Sequence, residues 1–428
     1  AGFMMALLSC FAGGEGGFGQ DAFQRSPEGF KIWGHTGGLL YGPSALARRS
    51  GRFLASGLDV NGVLSGKVDG EMVILSPQQY LQIGSVQEKP VAEQVLFKNG
   101  SVLVASVIGV GADEIRVQSR VWETSAIPMS LIQGIVFRPA GTLSERQVEI
   151  DRVMQSQSDF TRLIFNNNDF IDGQLEDAVG DETVALTVGG KSTKVALARI
   201  QSLVLAQLNQ PIDAASRKTS PMIAAGFSDG SRIVGMEMGI TADDVSLVVT
   251  KDFSLKTKIR YRGGDFWSRL RYFRPAETSF RFLSVSPPFR VQDSFQLPAF
   301  ATRLNRSVSG GPLMSEHEIH SHGIGTHASS QVVYLLEPSD DVFRCWVCID
   351  RTANRLGDAV CRTVLLDKDN RWKTGSKRFS ISANQPPVSL EVDVSGYRAI
   401  GLISSSGDHG TTGDRVNWLS ARIYSSGK

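Results

Sequence analysis

The chain has 428 residues, of which 41% are hydrophobic and 21% are charged, and this globular composition excludes a wholly disordered protein. Its 44 glycines against 16 prolines favour a β-rich protein with many turns over a helical bundle. A formal charge of +2 argues against a chain-wide surface for nucleic acid or membranes.

The first 24 residues have the pattern of a signal-peptide remnant with a flexible continuation. The apolar run Phe3–Ala12 is about half as long as a bilayer span and matches the apolar core of a signal peptide. Ordinary cleavage after Cys10-Phe11-Ala12, lipidation of Cys10 and a buried apolar strand remain open as alternatives. We therefore expect export to the periplasm, the cell surface or the medium, without a transmembrane helix.

A degenerate strand–turn–strand repeat occupies the middle of the chain. Its clearest copy spans residues 94–137, and its turns follow Phe97, Phe165 and Phe227 at spacings of 68 and 62 residues. These spacings are too long for a tight solenoid and predict separate small β-barrels joined by linkers. We place the first partial copy and the second copy at residues 50–141, and single modules at 156–208 and 219–271. The charge pattern of Ser144–Gln155 predicts a linking helix.

Two closing segments of the repeat, Ile127–Phe137 and Val195–Leu205, share a pattern of alternating apolar positions with a small residue or proline. Strand–turn–strand units that end in this way resemble Sm-like barrels, which implies the capacity to bind RNA. A generic β-meander is the alternative interpretation.

Residues 272–306 contain four prolines among aromatic and polar residues without a clear period, which predicts an extended basic connector. The overlapping stretch Lys256–Arg306 carries eleven basic and three acidic residues, a net charge of +8. Interleaved aromatic residues would suit single-stranded nucleic acid, but export makes nucleic acid an unlikely partner. An acidic polysaccharide or an acidic partner surface is the better functional prediction for residues 256–306, and a solvated basic face is the default.

The C-terminal part contains ordered motifs, namely Gly310–Leu313, His322–Ala328, Val332–Leu336, Phe343–Asp350, Asp367–Asp369, Val392–Gly396 and Asp414–Ile423. In this order they resemble the NPCBM family of carbohydrate-binding modules over about 120 residues. Cys348 and Asn417 depart from the family pattern, in which a glycine and an acidic residue are usual. The resemblance implies a galactose-binding-like β-sandwich (jelly roll) at residues 307–428 that recognises carbohydrate.

Hydrophobic alternation supports the same architecture independently of the resemblance. Short runs separated by turn-rich loops predict a two-sheet sandwich, with strands at 331–336, 342–349, 359–366, 378–383, 388–394, 399–403 and 416–424. The loops Arg351–Asp358 and Ser404–Arg415 should meet at one end, and Trp418 should lie in the core. The predicted fold class is therefore mainly β, with several small Sm-like or other β-barrel modules followed by a C-terminal β-sandwich.

Polar residues concentrate in the two loops that are predicted to meet. Carboxylates and amides can hold sugar hydroxyls through bidentate hydrogen bonds. The predicted carbohydrate-binding residues are Asp350, Arg351, Asp408, His409, Asp414 and Asn417. The same oxygens could hold Ca²⁺ as a structural ion, or they could merely form turns.

Histidine and cysteine raise a metal hypothesis that we do not adopt. Five of the six histidines lie between His317 and His409, but His322 and His327 fall inside a predicted strand, where a hydrogen-bonded core role is the simpler account. Cys345 and Cys348 should point to opposite faces of their strand, which disfavours a shared metal. A disulfide between one of them and Cys361 stays open. We expect no cofactor, and the structural Ca²⁺ named above is the one metal that stays open as an alternative.

Catalytic signatures such as Gly-x-Ser-x-Gly, HExxH and a Walker loop are missing from the sequence. The sequence therefore predicts an exported, non-enzymatic protein whose C-terminal sandwich recognises a polysaccharide or other glycan. The alternative is a homo-oligomeric structural subunit of a bacterial cell-envelope assembly without a free sugar site. RNA binding by the middle region ranks third.

Overall fold

The described residues of the computed structural model fall into two compact units, within the bounds 1–139 with 152–276 (unit 1) and 140–151 with 277–428 (unit 2). In the described part of the chain, no helix has the length and apolarity needed to cross a membrane. The structure describes residues 30–31, 53–58, 63–68, 71–75, 82–84, 93–123, 125–156, 158–176, 183–206, 223–241, 243–261, 264–276, 280–293, 300–315, 319–353, 357–383, 385–408, 410–411 and 413–425. The predicted signal-peptide remnant at residues 1–24 lies outside these ranges.

The described N-terminal residues contain five short strands, and all but the first lie within the predicted range 50–141. They are β1 (Phe30–Lys31), β2 (Phe53–Leu58), β3 (Leu64–Val68), β4 (Glu71–Leu75) and β5 (Ile83–Gly84). The first four form an antiparallel sheet in chain order.

The first complete copy of the repeat, module 1, contains five strands and a 3-10 helix at Met129–Leu131 before the last strand. The strands are β6 (Gln94–Phe97), β7 (Val102–Val110), β8 (Glu114–Ser119), β9 (Ser125–Pro128) and β10 (Ile132–Val136). They pair in the order β9-β8-β7-β6-β10, so the last strand returns beside the first.

The predicted linking helix is confirmed as α1 (Leu143–Met154). Thr142 caps its start: the Glu145 N–H donates to the Thr142 hydroxyl at 3.3 Å, and that hydroxyl donates to the Glu145 carboxylate at 2.7 Å. The first of these bonds satisfies one backbone donor that the first helical turn would otherwise leave open.

Module 2 repeats the topology of module 1, again with a 3-10 helix, Leu197–Arg199, before its last strand. Its strands pair in the order β14-β13-β12-β11-β15. They are β11 (Thr161–Phe165), β12 (Phe170–Glu176), β13 (Thr183–Val188), β14 (Lys191–Ala196) and β15 (Ile200–Val204).

Module 3 divides the same pattern between two sheets, β17-β16-β23 and β18-β19-β20. Its elements are β16 (Ile223–Phe227), β17 (Arg232–Gly235), β18 (Glu237–Ile240), β19 (Asp244–Thr250), β20 (Phe253–Lys258), the short β21 (Arg260–Tyr261) and β22 (Gly264–Asp265), the helix α2 (Phe266–Arg269) and β23 (Leu270–Arg274). A short helix again precedes the last strand.

The turn after the first strand is the same in all three modules. The N–H of the phenylalanine that ends the strand, Phe97, Phe165 or Phe227, donates to the carbonyl of the residue four positions later at 2.9, 2.8 and 2.8 Å. Its carbonyl accepts the N–H of the residue three positions later at 3.0, 2.9 and 3.0 Å. That third residue has a left-handed φ in each turn, and it is Gly100, Asn168 or Gly230. The predicted phenylalanine anchors are therefore structurally equivalent.

The prediction of separate barrels joined by linkers is wrong, because the modules share strand pairs. β10 of module 1 pairs with β15 of module 2, and β7 of module 1 pairs with β17 of module 3. One hydrophobic core also extends through all three modules. At its centre the Trp122 ring meets the Phe227 and Phe266 rings at centroid distances of 5.3 and 5.8 Å. Strand edges that an isolated barrel would expose are used to build a larger sheet.

The second unit contains the predicted β-sandwich, whose described strands form two main sheets, β26-β29-β37-β31-β35 with β24 beside β37, and β25-β30-β36-β32-β33 with β34 beside β32. The strands are β24 (Phe280–Phe282), β25 (Arg290–Asp293), β26 (Arg303–Leu304), β27 (Leu313–Met314), β28 (Ile319–His320), β29 (Gly323–His327), β30 (Ser330–Leu335), β31 (Asp340–Ile349), β32 (Asp358–Leu366), β33 (Trp372–Thr374), β34 (Phe379–Ser382), β35 (Val388–Asp393), β36 (Ala399–Ser406) and β37 (Arg415–Ser425).

The seven strands predicted between residues 331 and 424 are confirmed, each within a few residues. Trp418 is fully buried between the sheets, as predicted, and its indole N–H donates to the Ser404 hydroxyl of the opposite sheet at 3.2 Å. The mainly β fold class with a C-terminal two-sheet β-sandwich is thus established.

The sandwich starts earlier than the sequence predicted. Residues placed in the connector 272–306 form β24, β25 and β26, which pair with β37, β30 and β29. These strands have two to four residues, too few to show a period of two, and prolines separate them.

The three described cysteines are free thiols and all are buried. Cys345 packs in the main sandwich core, whereas Cys348 packs with Leu313 and Leu419, so the two thiols lie on opposite faces as predicted. Burial raises the pKa of the Cys361 thiol to about 12. Among the described residues, the three thiols form no disulfide with one another.

Candidate functional site

Two loops, 350–358 and 404–415, meet at one end of the sandwich as the sequence predicted. The Asp358 carboxylate accepts the N–H of Asp408 at 2.7 Å, and the N–H of Asp358 donates to the Asp414 carboxylate at 3.2 Å. Because both hydrogen bonds cross from one loop to the other, each loop fixes the position of its neighbour.

Glycines make this close approach possible. A Cβ atom at Gly357 would lie 2.5 Å from the Gly413 carbonyl oxygen, and a Cβ at Gly407 would collide with the Asp358 carboxylate. The two loops therefore touch through backbone that a larger residue would push apart.

Asp350 forms the floor of this end. It is buried, and one oxygen of its carboxylate accepts two hydrogen bonds from Thr352, one from the backbone N–H at 2.7 Å and one from the side-chain hydroxyl. Its second oxygen accepts the side-chain N–H of buried Asn417 at 2.8 Å. These bonds tie the first loop to β37 and direct the Asp350 and Asn417 side chains inward.

The predicted binding residues consequently fall into groups with different surroundings. Asp350, Asp414 and Asn417 are buried. Arg351 and Asp408 are exposed at the rim. His409 lies outside the described residues. The structure brings the described five to one end of the sandwich but presents two of them to solvent.

Thr352 and Arg415 belong to the same rim, although the sequence analysis did not select them. Thr352 is exposed and Arg415 is half-buried, and an Arg415 guanidinium N–H lies 3.4 Å from both the Thr352 carbonyl and hydroxyl oxygens. Their adjacency to Arg351 and Asp414 was the available sequence signal. Together with Arg351 and Asp408 they form what we call the rim, which contains donors and an acceptor carboxylate.

His327 lies beneath this rim. It is the strand partner of Arg415, it is 5% exposed, and the Phe300 ring lies 4.5 Å from its imidazole centroid. Burial lowers the pKa of His327, and the Arg415 cation acts in the same direction. A neutral imidazole at neutral pH follows, consistent with a packing role.

The other histidines provide no metal ligand set in the described part of the chain. Within it, no group of three or more His, Cys, Asp or Glu side chains could hold a metal ion. His322 stacks on the Phe282 ring at 4.1 Å, and His320 lies 3.2 Å from the Ser315 hydroxyl. Burial lowers the pKa of His320 to about 4. His317 lies outside the described residues.

The basic stretch 256–306 is divided between the two compact units. Several of its cations are held internally: Lys258 pairs with Asp244 at 2.7 Å, Arg281 with Asp340 at 2.6 Å, and Arg306 with Asp151. These pairs neutralise part of the +8 charge that the sequence assigns to this stretch.

Comparisons with solved structures give weak global similarity. The CBM51-2 and INT domains of ZmpB from Clostridium perfringens match with 23% identity and a TM-score of 0.30, covering 42% of this chain and 36% of that chain. A CBM51 from a Clostridium perfringens GH95 protein, solved with methyl-galactose, matches with 20% identity and a TM-score of 0.29, covering 34% and 99%. The tandem CBM51 modules of Sp3GH98 from Streptococcus pneumoniae match with 12% identity and a TM-score of 0.30, covering 62% and 88%.

This chain thus spans little more than a third of the length of the ZmpB chain. No curated protein sequence matches it. The comparisons do not support the predicted resemblance of the middle region to Sm-like barrels. Residues 293–424, in contrast, match the family model of the NPCBM/NEW2 domain.

Proposed function

We propose that this protein is an exported, non-enzymatic glycan-binding protein whose sandwich holds a sugar at the rim formed by Arg351, Thr352, Asp408 and Arg415. The observation that carries the proposal is the hydrogen-bonded junction of the two loops beneath an exposed polar edge. The match of residues 293–424 to the NPCBM/NEW2 domain supports the same function.

The rim has the chemistry that a sugar requires. A pair of neighbouring hydroxyls can donate to the two oxygens of the Asp408 carboxylate, while the guanidinium groups of Arg351 and Arg415 donate to ring and hydroxyl oxygens. The Thr352 hydroxyl can act in either direction. Such a set of donors and acceptors suits a polyhydroxylated ligand better than an apolar one.

Three carboxylates that are already hydrogen-bonded within the sandwich act as supports in this proposal. Asp358 and Asp414 hold the loops together, and Asp350 holds Thr352 and Asn417. Loops that are ordered before the ligand arrives lose less conformational entropy on binding, so a small polar contact surface can give useful affinity. Direct contact by Asp350, Asp414 or Asn417 is not required.

A glycan array with the full chain, in buffers containing either Ca²⁺ or a chelator, tests the proposal. We expect selective binding in both buffers, and Asp408→Ala should weaken it about tenfold or more, as for other central contacts. Asp369→Ala is the matched control. This exposed aspartate lies just after Leu366, the end of β32 that is about 26 Å along the strand from Asp358 at the rim end. The control variant should bind like the native chain.

Three results would contradict the proposal. A flat array in both buffers would favour a structural role without a sugar site. Equal losses in Asp408→Ala and Asp369→Ala would remove the rim as the binding place. Loss of binding in Trp372→Ala with unchanged Asp408→Ala would move the sugar to the outer face of the sheet, where Trp372 is 47% exposed.

A further inference from the structure

Modules 1 and 3 pair through equivalent surfaces. Val102 of β7 lies opposite Arg232 of β17 in an antiparallel register. The Ser101 hydroxyl accepts the N–H of Val234 at 2.8 Å, and the Ser231 hydroxyl accepts the N–H of Val104 at 2.9 Å. In both cases the acceptor is the fourth residue after the anchor phenylalanine and the donor is the seventh. The contact is therefore self-complementary and has local pseudo-two-fold symmetry.

Module 2 carries the same surface in exposed form. Its turn has the hydrogen bonds found in the other modules, and its fourth, fifth and seventh residues after Phe165 are Asp169, Phe170 and Asp172. Ser101 and Ser231 are fully buried, whereas Asp169 is exposed and Phe170 is 55% exposed. The same local geometry thus has a covered form and an uncovered form in one chain.

Residues 170–173 of β12 have a strand partner on one side only, as far as the described strands show. Phe170–Gly173 pairs with β11 on one side, and the pairing of β12 with β13 begins only at Gln174. Beside the segment lies a surface cavity of about 660 Å³, lined by residues 165–171 and Arg199. An open strand edge next to a cavity offers both backbone donors and space for a neighbour.

We propose that this edge of module 2 pairs with the same edge of a second copy of the chain, so that Phe170 lies opposite its counterpart. The equivalence of Phe170 to both Val102 and Arg232 sets this register, because those two residues face each other in the pair of modules 1 and 3. The dimer would extend the continuous sheet of unit 1 beyond β12 by the same contact that already joins two of its modules.

The charges of the segment are compatible with a two-fold contact. Asp169 replaces the serine and can accept the outward backbone N–H of Asp172 from the other copy. The Asp172 carboxylate is held by Arg162 through two hydrogen bonds of 2.7 Å, and the Arg162 guanidinium lies 4.1 Å from the Phe170 ring centroid. With Arg199, each copy contributes two acidic and two basic side chains, so the contact has no net charge.

Sedimentation of the full chain at increasing concentration tests the proposal. The native chain should form a dimer, and Phe170→Glu should raise the dimer dissociation constant about tenfold or more, because two carboxylates would face each other across the axis. Phe160→Glu is the matched control, since Phe160 is 60% exposed but lies before β11 and outside the cavity lining. Circular dichroism should show that both variants are folded.

A cross-link tests the register independently. In a background with Cys10 replaced by serine, Phe170→Cys should form a disulfide-linked dimer under mild oxidation, because opposed residues of antiparallel strands have Cα atoms about 4.5–5.5 Å apart. Phe160→Cys should not. A chain that stays monomeric, a dimer unaffected by Phe170→Glu, or equal cross-linking at both positions would overturn the proposal.

Discussion

The carboxylate of Asp358 accepts the backbone N–H of Asp408 at 2.7 Å and thereby couples the two loops that carry the proposed glycan site. Asp358 begins β32, a strand of the sandwich, so the bond anchors the loop 404–415 to the end of a strand. The exposed carboxylate of Asp408 is positioned by a residue that need not touch the ligand.

The first prediction follows from this coupling. Asp358→Ala removes the acceptor and should lower glycan affinity about tenfold while costing the fold about 1 kcal/mol. Hydrogen exchange of peptides covering residues 404–411 should accelerate in the variant, because these amides lose their anchor. Titration with a glycan identified on the array measures the affinity.

Asp393→Ala is the control for this prediction. The Asp393 carboxylate also accepts a backbone N–H, that of Ser395 at 2.9 Å, but it lies at the end of the sandwich opposite to the rim. The affinity of Asp393→Ala for the glycan should equal that of the native chain. Unchanged affinity in Asp358→Ala would show that loop coupling does not support binding.

The sequence predicted the sandwich well because its strands are long enough to show alternation. β31 and β37 have ten and eleven residues, and a register error in either would turn core residues such as Phe343 and Trp418 to the surface. β24 and β26 were missed because three and two residues cannot define a period. Their position depends on pairing with strands that are distant in sequence.

The sequence predicted that the two loops meet, but not how each of their polar residues is used. Asp350, Asp408 and Asn417 lie in or beside these loops, yet the sequence does not reveal which carboxylates turn inward. That direction depends on which N–H groups lie nearby after folding, such as the Thr352 and Asn417 donors around Asp350. Likewise, the repeat revealed three modules, but the Ser101 and Ser231 contacts that join them appear only in three dimensions.

The second prediction concerns the junction of modules 1 and 2. A Cβ atom at Gly134 would collide with the Leu203 carbonyl oxygen and lie 2.5 Å from Val153 Cγ1. Gly134→Ala should therefore lower the free energy of unfolding by about 1–3 kcal/mol through overpacking. Gly141→Ala is the control, because a Cβ there meets no atom within 4 Å.

Urea unfolding of the full chain, followed by circular dichroism, measures this difference. Faster hydrogen exchange in β10 and β15 of Gly134→Ala would place the damage at the junction, where Gly134 pairs with Val204. Equal stability of the two glycine variants would contradict the close packing of these strands.

The third prediction concerns the ion pair of Arg281 and Asp340. The Asp340 side chain is fully buried and receives guanidinium hydrogen bonds of 3.0 and 2.6 Å. Arg281→Met should cost about 3–5 kcal/mol near neutral pH, because a buried carboxylate loses its counter-ion. Arg281→Met with Asp340→Asn should recover part of this stability, since the remaining buried group is then neutral.

The pH dependence of that variant has a definite sign. Burial raises the pKa of Asp340 above its ordinary value, whereas Arg281 lowers it, so removal of Arg281 raises the pKa further. A carboxyl whose pKa is higher in the folded than in the unfolded chain stabilises the fold below the unfolded pKa and loses that contribution as pH rises through the folded pKa. The deficit of Arg281→Met should thus grow as the pH rises above about 4, the ordinary pKa of an aspartate, and a pH-independent deficit in urea unfolding would contradict this account.

The last prediction concerns His320, whose pKa is lowered by burial to about 4. The unfolded chain takes up a proton near pH 6.5 while the folded chain keeps His320 neutral, so the contribution of this residue is present above pH 6.5 and falls as the pH decreases towards 4. His320→Gln cannot titrate in this range and retains a polar side chain beside the Ser315 hydroxyl. The free energy of unfolding of His320→Gln should depend less steeply on pH than that of the native chain, and the difference in slope should correspond to at most one bound proton. Urea unfolding measures this slope, together with hydrogen exchange of peptides covering residues 319–336. Identical slopes in the native chain and His320→Gln would show that His320 does not control the acid sensitivity of the sandwich.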